Sequence, residues 1–402
     1  VVASVILKIL NICEFLPLDG LGRENDMQIR LQQEINKIDD SIEFVFLKSL
    51  PWSSRLLTKI KLAFGKLQTI GTKYRSYLRK KEVIVGGYRT ILYPWFMLPT
   101  SNYWVNYWLL PFNKVWAINK IEDLIGKEIE SFDLIISQNN IADGIVANYL
   151  SQKYKIPYIH VLRGNLSAIW SHSEMQRIIN GACQCITPSP VIYDFMRKQS
   201  DEVLLFPHGV GKEFFFKGKK DLSKVRFITV ARFLYWKNID WVIRVLGNIQ
   251  RQSIDFEYVL VGDGPKRAEL EKQVHDSGLT DYVKFTGWLS PDDVISHLFA
   301  SNVMVLPSYP EILGRVYLEA AAAKCLCIGH EGSGVDGLLL NNKSAIFCNE
   351  KTIGDKIVSV IKNLDSRVNE DIINNAFAVV SDFTWRNVAR RYIDLFEQHV
   401  KN

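Results

Sequence analysis

Short apolar runs alternate with amphipathic stretches along the whole chain, a rhythm that predicts parallel α/β architecture rather than a sandwich of hairpins. In the first half it predicts strands over Ile6–Phe15, Ile42–Leu47, Phe132–Ser137, Pro157–Leu162 and Cys183–Pro188, and a helix over Glu24–Ile38. From residue 225 the alternation becomes strict. Strands are predicted at Val225–Ala231, Phe256–Gly262, Val283–Thr286, Val303–Pro307 and Leu326–Gly329. Between them lie predicted helices at Ile239–Gln250, Lys266–Ser277, Asp292–Ala300 and Gly314–Ala323. Such a series is a doubly wound domain. Thr384 reads as the N-cap of a last helix, in which Val388, Tyr392, Leu395 and Phe396 recur at helical spacing.

With 402 residues the chain exceeds one ordinary core, so two domains are expected. The segment Phe206-Pro207-His208-Gly209-Val210-Gly211, rich in Pro and Gly, reads as the hinge between them. No apolar run reaches transmembrane length, since Lys8 breaks the opening Val1–Leu10 stretch.

The net charge of +6 is unevenly spread. Residues 51–100 hold ten Lys or Arg against the single acid Glu82, a local net of +9, which leaves the remainder slightly acidic. Within that stretch Trp52, Leu56, Leu57, Ile60, Phe64 and Leu67 alternate with Arg55, Lys59, Lys61 and Lys66 as a basic amphipathic helix. Tyr93–Phe112 follows with eight aromatics, including Trp95, Trp104 and Trp108. These segments either rest on an anionic membrane surface or combine a core-facing helix with an aromatic substrate loop. Nucleic-acid binding is not expected, because no recognition motif accompanies the charge. The six cysteines lack metal-ligand spacing and read as reduced core thiols of a cytosolic protein.

Four loops of the second half carry candidate chemistry, each following a predicted strand, where doubly wound sheets bind ligands. Arg232 and Lys237, five positions apart, form a cation pair able to grip a diphosphate. Gly262, Gly264 and Pro265 form a turn that lets the backbone approach a ligand closely, as candidate donor-binding residues, with Pro265 suited to the first turn of the next helix. It lacks the third glycine of a dinucleotide fingerprint, so a nicotinamide cofactor is not expected. Around Lys284 and Phe285, backbone groups could read a base edge. The fourth loop carries Glu311 and leads through Gly314, Arg315 and Val316 to Glu319, pairing carboxylates with the anion-attracting N–H groups of a helix start.

In this order, Arg-x4-Lys, Val-Gly-Asp-Gly-Pro, Phe-x-Gly-Trp and Glu-x7-Glu, the chain resembles the retaining GT-B glycosyltransferases of family four (glycosyl transferases group one), bacterial surface-polysaccharide type. The resemblance is dense from about residue 203 to 385 and loose before that. It implies two Rossmann-like domains facing a cleft. Residues 1–205 would bind the acceptor, residues 206–383 the nucleotide sugar, and the closing helix 384–402 would cross back onto the first. It also implies that Arg232 and Lys237 neutralise the leaving diphosphate and that Glu311 binds the donor sugar. Glu319 would hold the ribose, and the N–H groups at Gly314, Arg315 and Val316 would cap the distal phosphate. Gly20 and Gly22 in the glycine loop Asp19–Arg23 would shape the acceptor or donor-phosphate pocket.

The chain departs from the family where Arg163 precedes Gly164 in place of histidine, where Asn139 replaces histidine, and where Lys324-Cys325-Leu326 stands for Gly-x-Pro. With no Asp-x-Asp triplet and no His/Cys cluster, a metal-independent hexosyl- or N-acetylhexosaminyltransferase is expected. It would use no cofactor beyond a UDP- or GDP-linked donor. Its acceptor would be a lipid-linked saccharide, and it would lie peripherally at the inner face of the cell membrane. A GT-B epimerase and a non-catalytic GT-B scaffold are the alternatives.

Overall fold

The computed structural model describes residues 6–13, 16, 27–52, 80–96, 110–138, 141–163, 173–198, 202–251 and 255–400. Gly20, Gly22, Asn139 and the basic residues Arg55, Lys59, Lys61 and Lys66 lie outside them. Two compact units result: residues 1–187 with 200–204 and 389–402, and residues 188–199 with 205–388.

The first unit is built on an eight-stranded sheet, comprising β1 (Leu7–Ile12), β2 (Ile42–Trp52), β3 (Glu82–Val85), β4 (Tyr88–Phe96), β5 (Leu134–Gln138), β6 (Tyr158–Val161), β7 (Gln184–Thr187) and β8 (Val203–Leu205). The strand order is β3-β4-β2-β1-β5-β6-β7-β8. Pairing is parallel from β4 through to β7, and β3 alone runs antiparallel against β4. The β3–β4 hairpin is missing from the periodicity reading. It turns on Gly86 and Gly87, both at positive φ, as a two-residue hairpin requires. A Cβ on Gly86 would also stand 2.4 Å from Ile29 on the helix Met27–Asn36.

This hairpin corrects part of the aromatic-loop reading. Tyr93 and Trp95 are buried in β4, so they are core residues and belong to neither a membrane belt nor an exposed loop. Arg89, one of the ten cations of residues 51–100, is held by Glu82 at 2.9 Å and by Glu128 at 2.7 Å.

The second unit holds a six-stranded, wholly parallel sheet: β9 (Val225–Val230), β10 (Phe256–Val261), β11 (Val283–Gly287), β12 (Val303–Leu306), β13 (Leu326–His330) and β14 (Ile346–Cys348). Its order is β11-β10-β9-β12-β13-β14. Strand alternation sends neighbouring residues to opposite faces. Phe227, Leu260, Val305 and Ile328 pack with the helices Ile239–Gln250 and Ile353–Lys362. Ile228, Val261, Met304 and Cys327 pack on the other side, with the helices Arg315–Ala322 and Arg367–Ser381. Val303–Leu306 is buried on both faces, which is why it reads as a continuous apolar run.

The proposed hinge segment lies inside the second unit. Val210 exchanges backbone hydrogen bonds with Phe383 at 2.7 Å and Trp385 at 3.3 Å, and a Cβ on Gly209 would meet the Trp385 indole at 2.3 Å. Thr384 caps the last helix, Trp385–Val400, by accepting from the Asn387 N–H at 3.3 Å. All six cysteines are free, and burial pushes the Cys348 thiol up to about 12. Among the described residues no helix is long and apolar enough to cross a membrane.

Candidate functional site

In the second sheet β9 lies between β10 and β12, so the chain leaves β9 toward one side and returns from β12 toward the other. Topological switch points of this kind open a crevice at the carboxyl ends of the strands. Here β9 and β12 pair over Val303↔Phe227 and Met304↔Ile228. The loop after β9 carries Arg232 and Lys237, and the loop after β12 carries Glu311.

The two loops are laced together. Tyr309 N–H donates to the Trp236 carbonyl at 2.8 Å, and Asn238 Nδ2 donates to the Pro307 carbonyl at 2.8 Å. Asn238 sits in the left-handed region at φ 51, where asparagine is tolerated, and ends the 3-10 turn Tyr235–Lys237. Lys237 Nζ forms an ion pair with Glu311 Oε2, both side chains largely buried. Arg232 is exposed and has no ion-pair or hydrogen-bond partner among the described residues.

Glu311 is placed by residues absent from the sequence reading. Ser308 Oγ donates to Glu311 Oε2 at 2.9 Å. Ser333 Oγ accepts from the Glu311 N–H at 2.8 Å, and the Gly334 N–H donates to the Glu311 carbonyl at 2.9 Å. Gly314 and Gly334, at φ 68 and 62, flank the side chain, and a Cβ on either would come within 3.2 and 3.3 Å of Glu311 Cγ. Ser189 Oγ donates to the Ile312 carbonyl and also caps the helix Pro190–Arg197. Serines are too common in loops to signal such roles by spacing alone.

Gly314 is the N-cap of the helix Arg315–Ala322 and offers no side-chain cap, so the first-turn N–H groups at Arg315 and Val316 are left without one. The Tyr317 hydroxyl anchors this helix to the end of β12 through the Leu306 carbonyl, and burial holds its phenol well above the usual range. Val316 packs on the apolar cluster behind, whereas Arg315 is exposed. Glu319 lies four residues on from Arg315, on the same helical face.

The glycine turn packs closely against the loop that follows β9. A Cβ on Gly262 would stand 1.9 Å from the Ala231 carbonyl, and one on Gly264 2.5 Å from the Phe233 carbonyl. Gly262 and Gly264 therefore allow the cation loop to lie against them. Backbone bonds at 3.0 Å join Ala231 to Val261 and Phe233 to Asp263. Pro265 precedes the N-cap Lys266 of the helix Arg267–Asp276 instead of standing in its first turn. Phe285 stacks edge-on against buried Phe233 at 6.1 Å, beneath the Arg267 guanidinium at 5.9 Å. Lys284 is exposed on β11.

Arg163 belongs to the first unit. With the Gln28 amide oriented oxygen-inward, Arg163 Nη2 donates to it at 2.7 Å. Nearby, at the carboxyl ends of β1 and β5, Gln138 Nε2 donates to Asn11 Oδ1 at 3.4 Å. Asn11 Nδ2, Gln32 Oε1, Gln138 Oε1 and Arg163 Nε are buried without partners among the described residues. Among the described residues no His, Cys, Asp and Glu cluster could hold a metal ion.

Two doubly wound units of this construction, the second with cations and a helix start at its switch point, define a GT-B protein. Solved structures share the fold. Sucrose-phosphate synthase from Thermosynechococcus elongatus aligns over 98% of both chains at TM-score 0.72 and 16% identity. Anabaena Alr3699/HepE, solved with UDP and glucose, covers 98% of this chain and 100% of its own at TM-score 0.63 and 17% identity. Residues 211–379, within the second unit, match the family model described as glycosyl transferases group 1.

Alpha-D-kanosaminyltransferase of Streptomyces kanamyceticus is 32% identical over 29% of this chain and 30% of its own length. The GPI3 subunit of phosphatidylinositol N-acetylglucosaminyltransferase from Saccharomyces cerevisiae is 21% identical over 59% of this chain and 56% of its own. The GDP-mannose-dependent alpha-(1-6)-phosphatidylinositol monomannoside mannosyltransferase of Mycobacterium tuberculosis is 28% identical over 34% and 37%. The matches thus span about a third to just over half of these curated relatives.

Proposed function

We propose that this chain is a retaining glycosyltransferase that moves a hexosyl or N-acetylhexosaminyl group from a nucleotide sugar to a lipid-linked saccharide. The observation that carries the reading is the convergence at one switch point of Arg232, Lys237, Glu311 and the open N-terminus of the helix Arg315–Ala322. A diphosphate needs positive charge, and a sugar needs hydrogen-bond acceptors for its hydroxyls. The site offers both side by side.

In the reaction, Arg232, Lys237 and the helix N–H groups neutralise charge that grows on the leaving diphosphate, without a metal. Glu311 accepts hydroxyls of the donor sugar and Glu319 those of the ribose. The acceptor oxygen attacks the anomeric carbon on the face the nucleotide leaves, and its proton passes to the leaving phosphate. Lys284 and Phe285 lie beside the base. Arg163 and the buried amides around it, at the carboxyl ends of the first sheet, contribute to acceptor binding.

The donor is UDP- or GDP-linked, a choice supported by the UDP complex of the Anabaena structure and the GDP-mannose dependence in the mycobacterial relative's name. The two phosphatidylinositol-named relatives support a lipid-borne acceptor, as does the basic stretch of residues 51–100, which favours peripheral binding at the inner face of a bacterial membrane during polysaccharide synthesis. The test is nucleotide release from UDP-glucose, UDP-N-acetylglucosamine and GDP-mannose with lipid-linked acceptors, with and without EDTA. Release that needs an acceptor and survives EDTA is expected. No release from any donor, or release that EDTA abolishes, overturns the reading.

A further inference from the structure

We propose that the Lys237–Glu311 ion pair makes the site discriminate against the sugar-free nucleotide, so that the pair re-forms as the diphosphate product leaves. This rests on the donor site proposed above and adds a rule for product release. The pair closes the site's only cation–carboxylate contact among the described residues of the two switch-point loops. Both members are more than four-fifths buried, so their attraction is less screened than at a surface.

Glu311 cannot swing aside to release Lys237. Its backbone is held at both N–H and carbonyl by Ser333 and Gly334, and Ser308 grips the same Oε2 that faces Lys237. Oε1 has no hydrogen-bond partner among the described residues, which leaves it open to a ligand hydroxyl. A diphosphate must therefore take Lys237 away from a carboxylate that stays where it is.

What happens to Glu311 then depends on the ligand. With a sugar attached, hydroxyl donors replace the lost ammonium. After transfer, once the proton taken from the acceptor has dissociated, the product carries one more phosphate charge and the sugar hydroxyls beside Glu311 are gone, so Glu311 faces an anion without a donor. Re-forming the pair relieves this. Ser308 acts as a positioning residue, fixing the carboxylate that sets the discrimination.

The experiment compares binding of UDP and GDP with that of UDP-glucose and GDP-mannose, by calorimetry, for wild type and Glu311→Gln. The neutral variant should bind the free diphosphate more tightly, on the order of tenfold, and bind the nucleotide sugar no better than wild type. Its melting transition reports that it is folded. If Glu311→Gln does not fold, Glu311→Ala replaces it in the same comparison. A diphosphate affinity no higher than wild type overturns the pair's role and leaves the donor site standing. Failure of every nucleotide to bind wild type overturns both.

Discussion

The Ala231 carbonyl oxygen lies 1.9 Å from the point where a Cβ on Gly262 would stand. Gly262 has φ +128, outside the range of L side chains, and its own N–H donates to the Gly287 carbonyl at 2.8 Å. Three strand-end loops thus meet on one glycine. Gly262→Ala should cost about 3 kcal/mol or more, from backbone strain and displacement of the loop bearing Arg232. A denaturation midpoint unchanged from wild type would show that the loop can move away freely.

The two clamp cations should separate by stability, even though both serve turnover. Arg232→Ala removes an exposed, unpartnered side chain and should leave the melting temperature within about a degree, since surface changes are usually within ±0.5 kcal/mol. Lys237→Ala strands Glu311 without its cation and should destabilise measurably, by about 1–3 kcal/mol. Each should lower turnover about a hundredfold or more. Parallel steady-state rates and thermal melts decide this, and near-normal rates in both variants would remove the clamp.

Lys324 stands in the left-handed region at φ 56, immediately after the helix Arg315–Ala322 and its cap Ala323. Glycine is the residue that adopts this conformation freely. The resemblance places glycine at this position, and the geometry supplies the reason. Lys324→Gly should raise stability by up to about 1 kcal/mol despite losing the ammonium contact with the Phe377 ring at 5.3 Å. A lower urea midpoint in the glycine variant would mean that the ring contact outweighs the strain.

His160 gives the first unit a pH limit. It is buried in β6, with Nδ1 at 2.7 Å from Ser137 Oγ and Nε2 without a partner among the described residues, and burial pushes its pKa down to about 4. Above the ordinary value near 6.5 the ring is neutral folded and unfolded alike, and no stability is lost. As pH falls from 6.5 to about 4, the unfolded chain takes up a proton that the folded chain refuses, so stability falls. The full loss is about 3 kcal/mol. Urea midpoints at pH 7 and 4.5 should converge in His160→Gln, whose amide can still pair with Ser137. An unchanged slope would acquit this ring.

The sequence by itself determined the second unit almost strand for strand. Runs such as Val303–Leu306 are apolar without interruption because both faces of that sheet are covered, and helices such as Ile239–Gln250 show one apolar stripe because only one face is. Local pattern records burial, and burial there follows strand by strand. The order of the candidate loops was legible for the same reason, since each loop follows its own strand. What the tertiary structure alone decided are relations between residues far apart in sequence. Ser308, Ser333 and Gly334 hold Glu311 from three directions, yet nothing in their spacing announces it. Gly262 and Gly264 read as ligand-facing glycines, but the backbone they admit is that of Ala231 and Phe233. The β3–β4 hairpin absorbed Tyr93 and Trp95 into the core, because pairing with β2 buries a strand that composition alone reads as a membrane-facing segment or an aromatic substrate loop. Sequence period fixes which way a side chain points along its own element. Only the pairing of elements decides what it meets there.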